Sequence, residues 1–131
     1  MRDPAKAWLD FARDDLRMAE LALKEGIYNQ ACFHAQQCAE KALKAVIQLK
    51  IKVPKVHSLP ELGEVCKEQG VHFEKMDERL NFLDRFYTLT RYPFITGMLP
   101  EGAPTEGDAQ EAIGIASEIL RWASSLVEEP K

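Results

Sequence analysis

A run of small apolar residues at helical spacing constrains this chain more than anything else in it. Tyr28, Ala31, Ala35, Cys38, Ala42, Ala45 and Leu49 follow one another at steps of three and four, so they fall on one face of a helix over residues 28–50. Cys32, Ala39, Leu43 and Val46 widen that face. Because most of these side chains are small, neighbouring helix backbones can approach closely, and the spacing predicts a helix at the centre of a bundle.

The rest of the chain supplies the helices to surround it. Ala5, Trp8, Leu9, Ala12, Leu16, Ala19 and Leu23 predict a first helix over residues 4–25, stopped by Gly26. Ser58-Leu59-Pro60-Glu61 reads as a capping box, with Ser58 accepting from the Glu61 amide while Glu61 reaches back. It opens a short helix carrying Leu59, Leu62, Val65 and Cys66 that ends at Gly70. Met76, Leu80, Leu83 and Tyr87 predict a helix over residues 76–90. Thr105-Glu106-Gly107-Asp108 caps a last helix, with Ala109, Ala112, Ile113, Ala116, Ile119, Leu120, Ala123 and Leu126 inward, ending near Val127. Between these two lies one long irregular segment, residues 92–104, with Pro93, Gly97, Pro100, Gly102 and Pro104; such loops are commonly functional or mobile. No strand pattern, repeat or low-complexity tract interrupts the series. The expected fold is all-α, an antiparallel up-and-down bundle of four long helices plus one short helix, forming a single domain over residues 1–131.

Composition narrows the function. With 131 residues, 46% hydrophobic and 29% charged, the chain can bury a core without metal or disulfide staples. A net charge of -4 argues against a broad nucleic-acid-binding field and leaves room only for a local basic stripe. Cys32, Cys38 and Cys66 are odd in number and lack a CxxC, as in a reducing compartment. The residues after Met1 read as neither a secretory signal nor a transit peptide, and no apolar run reaches the length of a membrane span. The expectation is a cytoplasmic protein with no membrane association.

Two groups of residues are candidates for chemistry. On the second helix, Gln30, His34, Gln37, Lys41, Lys44 and Gln48 form a line at steps of four and three that offers donors and two positive charges to a phosphate or nucleotide. A solvated helix face is the plainer explanation of the same spacing. At the end of the fourth helix, Asp84, Tyr87 and Arg91 share a direction, and Tyr92-Pro93 turns the chain away. Arg91 there either pairs with Asp84 and the last carbonyls or clamps a phosphate at the mouth of the long loop. His57 precedes the Ser58 cap, His72 lies in a turn, and His34 shares a face with Cys38; nothing supplies three ligands for a metal, and no cofactor motif is present.

The stretch from Tyr28-Asn29-Gln30-Ala31-Cys32-Phe33-His34 through Gln37-Cys38-Ala39-Glu40-Lys41-Ala42-Leu43-Lys44 resembles the long second helix of prokaryotic HEPN domains. His57-Ser58-Leu59 with Leu62 resembles the start of their next segment, and Tyr87 to Arg91-Tyr92-Pro93 resembles the arginine-bearing end of a later helix. Trp8, Ala12, Asp15, Leu16 and Ala19 fit the opening helix, so the likeness covers nearly the whole chain. The resemblance implies a dimer, often encoded beside a small nucleotidyltransferase in a toxin–antitoxin or nucleotide-handling pair. It further implies that active members are metal-independent ribonucleases pairing an arginine with a histidine a few residues on. Here Arg91 matches, but no histidine follows His72, so no catalytic set is complete. The preferred expectation is a dimeric nucleotide- or RNA-binding partner of a nucleotidyltransferase, using Gln37, Lys41, Lys44, Arg91, Tyr92, His34 and His57, with Tyr28, Tyr87 or Tyr92 available to stack a base. The alternatives are a degenerate ribonuclease toxin built on Arg91 and a non-catalytic protein-interaction module.

Overall fold

The computed structural model describes residues 3–89 and 102–128. Five helices occupy them: α1 (Pro4–Lys24), α2 (Tyr28–Gln48), α3 (Leu59–Glu68), α4 (Met76–Leu89) and α5 (Glu106–Glu128), with no strand among the described residues. The all-α expectation holds, and each helix falls within a residue or two of where spacing placed it.

Local chemistry sets the ends. Asp3 caps α1 by accepting from the amides of Ala5 at 3.0 Å and Lys6 at 3.4 Å, and Pro4 occupies the first turn where its missing N–H costs nothing. Gly26 follows α1 at φ 77°, the left-handed conformation that lets the chain reverse into α2. Ser58 accepts from the Glu61 amide at 3.4 Å, the forward half of the expected capping box. At α5 the box is reciprocal: Thr105 Oγ1 accepts from the Asp108 amide at 3.1 Å, and Asp108 Oδ2 from the Thr105 amide at 3.0 Å.

The long helices alternate in direction. Trp8 meets Lys44 and Asp15 meets His34, so α1 runs against α2; Arg79 meets Glu118 and Arg85 meets Asp108, so α4 runs against α5. Helix α2 packs against all four others, whereas α1 and α4 do not touch among the described residues. The alanine-rich face explains this: Ala31, Ala35, Ala39, Ala42 and Ala45 are fully buried and let α1 and α5 close in on α2 from two sides. Across residues 30–48 no position is exposed. Gly63 plays the same part between α3 and α4, where a Cβ would stand 2.6 Å from Leu80 Cδ1.

The core differs from the expected faces at the helix ends. Leu49 and Leu126, both expected inward, are 47% and 38% exposed. In α4 the innermost set is Met76, Leu80, Leu83 and Phe86, with Tyr87 only half-buried. In α5, Ile115 is buried and Ile113 is partly so.

Candidate functional site

The polar line of α2 is neither a free basic stripe nor a solvated face. Its members are half-buried or buried, and two carboxylates absorb its charge. Asp15 on α1 receives His34 Nδ1 at 2.9 Å on one oxygen and Lys41 Nζ at 2.5 Å on the other. Glu40, one turn before Lys44 on α2, receives Lys44 Nζ at 2.8 Å and His57 Nδ1 at 3.0 Å, both on Oε2. The two networks repeat one plan, a buried carboxylate gripped by a lysine and by the Nδ1 of a histidine.

Burial separates the partners. The Glu40 and Lys44 side chains are 6% and 7% exposed, while the His57 ring is 62% exposed. Lys44 also lies 5.3 Å from the centre of the Trp8 ring, whose π face favours the ammonium and ties α1 into this network. Lys44, expected to offer its charge to a phosphate, has an ammonium that is enclosed and paired with Glu40. Lys41, 27% exposed, reaches solvent more freely but is bound to Asp15. Gln37 donates to Gln36 Oε1 at 2.7 Å, and His34, 22% exposed, packs edge-on against Phe33. Among the described residues, two buried side-chain atoms show no hydrogen-bond partner, Gln36 Nε2 and Glu40 Oε1, and they stand one turn apart on α2.

The second candidate group is partly redrawn. Asp84 accepts from the Leu59 amide at 2.9 Å and so serves the N-terminus of α3. Arg91 and Tyr92, and with them the expected pairing to Asp84, lie outside the described residues, as does the long segment up to residue 101.

The structure thus brings together His34 with Lys41 and His57 with Lys44, each pair through a carboxylate that spacing alone did not select. Asp15 had a signal: it sits between Ala12 and Ala19 at steps of three and four, an acid within an apolar stripe. Glu40 stood at the supportive spacing to Lys44. Elsewhere, burial pushes the thiols of Cys32, Cys38 and Cys66 up to about 12, and all three are free. Among the described residues, no three of His, Cys, Asp and Glu gather as a metal site would require, and no helix is long and apolar enough to cross a membrane. Surface hollows over Phe73 and Met76, and between Arg79 and Glu118, lie away from the α2 networks.

Comparison with known proteins agrees with this architecture. The family model for the HEPN domain matches residues 5–126. TT1696 from Thermus thermophilus superposes with a TM-score of 0.84 at 35% identity, covering 95% of this chain and 99% of that one. ST0689, an archaeal HEPN homologue, gives 0.73 at 33% identity, covering 97% and 100%. Among curated proteins, the one from Methanocaldococcus jannaschii named "Putative toxin MJ1304" is 28% identical over 135 residues, spanning 95% of this chain and 89% of its own length.

Proposed function

The chain belongs to the HEPN domain family, and from that premise we propose that it is the nucleotide- or RNA-binding member of a toxin–antitoxin-like pair whose other member is a nucleotidyltransferase. In this reading it works as a cytoplasmic homodimer and engages its ligand where the exposed His57 ring and the partly exposed His34 and Gln37 reach the surface.

One observation carries the reading: two histidines are held by carboxylates at Nδ1 beside the same helix, His57 at 3.0 Å from Glu40 and His34 at 2.9 Å from Asp15. An imidazole fixed in this way keeps its other nitrogen for an incoming group. With Lys41 and Lys44 committed to the carboxylates, ligand contacts fall to His57, His34 and Gln37, and the lysines set the posts on which the histidines stand. The likeness to a protein named as a toxin supports the pairing with a second component.

The test is ligand-dependent thermal stability of the full chain against ATP, GTP, NAD and a short mixed-sequence RNA. A true ligand raises the melting temperature with concentration, by about 2.7 kcal/mol of added stability at a hundredfold excess over Kd. No rise with any of them, at concentrations up to millimolar, would overturn the binding reading. Co-expression and co-purification with a small nucleotidyltransferase test the pairing separately.

A further inference from the structure

Between Glu40 and Glu61 the chain carries five lysines and no acid. In a chain of net charge -4, those five leave -9 for the rest. Two of them, Lys41 and Lys44, are matched by Asp15 and Glu40. The other three, Lys50, Lys52 and Lys55, lie exposed in the linker that joins α2 to α3. Lys50 Nζ donates to the Gln69 carbonyl at 2.9 Å, a partner without charge. Among the described residues, no carboxylate pairs with Lys52 or Lys55.

We propose that this linker is a docking site for a short acidic segment of a partner protein. The carboxylates of that segment meet Lys50, Lys52 and Lys55, and its apolar side chains cover Leu49 and Ile51. The inference uses residues that the nucleotide or RNA reading does not, and it stands whether or not the partner is a nucleotidyltransferase.

Three features of the linker select this occupant. Leu49 and Ile51, 47% and 39% exposed, flank Lys50 and give the basic patch an apolar component that phosphates do not answer. The main chain of residues 52–57 is open as well: among the described residues, none of its amides or carbonyls pairs with another main-chain group. A polypeptide brings donors and acceptors to such a stretch together with side chains of both kinds, so backbone pairing and side-chain contacts act at once. Charge, finally, limits the size of the occupant. Helix α3, into which the linker runs, turns Glu61, Glu64 and Glu68 to solvent. An anionic bilayer or a long nucleic acid lies against those acids as well as the lysines, and like charge opposes it. A short acidic segment meets the lysines alone.

The experiment follows the fluorescence anisotropy of a short labelled peptide, glutamates interspersed with leucines, on the full chain. The peptide should bind, and binding should weaken as salt rises. A matching peptide with serine in place of leucine should bind less well. Lys52→Glu combined with Lys55→Glu should weaken binding by about tenfold or more, since two attractions become two repulsions. Ile51→Ser should weaken it while keeping the same dependence on salt. All three changes fall on exposed side chains, so the melting temperature should stay within a few degrees of the wild type. Lys24→Glu, in the last turn of α1 at the opposite end of the bundle, should bind the peptide like the wild type. Absence of binding overturns the inference, as does binding that the double lysine variant leaves unchanged. Equal binding of the leucine and serine peptides overturns it too. A short RNA, or phosphatidylcholine–phosphatidylserine vesicles, bound more tightly than the peptide and lost in the same double variant would overturn it in favour of a polyanionic surface.

Discussion

Asp84, in the second half of α4, accepts from the amide of Leu59 at 2.9 Å and so closes the N-terminus of α3 from a neighbouring helix. Together with Ser58 Oγ on the Glu61 amide, it satisfies two of the donors that a helix start leaves open. Asp84→Ala should therefore destabilise the domain by about 1 kcal/mol, as loss of a cap does. The corresponding fall in melting temperature is a few degrees, about 2–8 °C for a domain of this size. Thermal unfolding followed by circular dichroism checks it, and an unchanged midpoint would show that Ser58 alone caps α3.

Replacing Lys44 removes the cation from an enclosed carboxylate. Lys44→Met should cost about 3–5 kcal/mol, the usual penalty for breaking a buried pair by one partner. Changing Glu40 to Met as well should recover much of that loss, since the uncompensated charge is then gone. Urea titrations of the two single variants and the double variant read the coupling directly.

Gly63 fixes how closely α3 approaches α4. Gly63→Ala places a Cβ 2.6 Å from Leu80 Cδ1, inside the fully buried part of the core. The helix gains propensity from alanine, but overpacking should win and cost about 1–3 kcal/mol. Leu80→Val in the same background should return part of the stability by vacating the space, a reversal that chemical denaturation can measure.

The three thiols should be silent in the native protein. Burial raises each to about 12, and thiolate is the reactive form, so a disulfide reagent at pH 8 should label slowly until the chain unfolds. In guanidinium all three should react at once. Rapid labelling of any one in native buffer would mark local opening of its helix.

Arg13 on α1 meets Glu128 on α5 at 2.6 Å, and its hydrogen bond, helped by Ser124, holds the Glu128 carboxyl below its ordinary 4.5. A lowered carboxyl contributes stability above its unfolded value and loses it as pH falls through the folded value. The pair should therefore add stability at neutral pH and fade below about 4.5. The groups are largely solvated, so the contribution is small, about 0.2–1 kcal/mol. Glu128→Gln should lower the midpoint at pH 7 and leave it unchanged near pH 3.

The bundle was legible in the sequence because helix periodicity, caps and glycine stops are local signals, and α2's alanines announced a central helix. The site was legible only as a line of residue types. Spacing shows that His34, Lys41 and Lys44 share a side of α2, but it does not show what opposes them. Asp15 comes from another helix, and His57 arrives across a linker whose path no periodicity encodes. Leu49 and Leu126 failed for a related reason: periodicity assigns a face but not which of its positions a neighbour covers.

Helix α2 has a consequence for how the molecule opens. Encased over residues 30–48 and packed on every other helix, it has no side from which it can be released alone. Fluctuations that free α3 or the end of α5 leave it covered, so its amides exchange hydrogen with solvent only when the whole domain comes apart. The face that carries Glu40 is thereby mounted on the most enclosed helix of the chain, with Asp15 meeting it from α1 and His57 from the linker before α3.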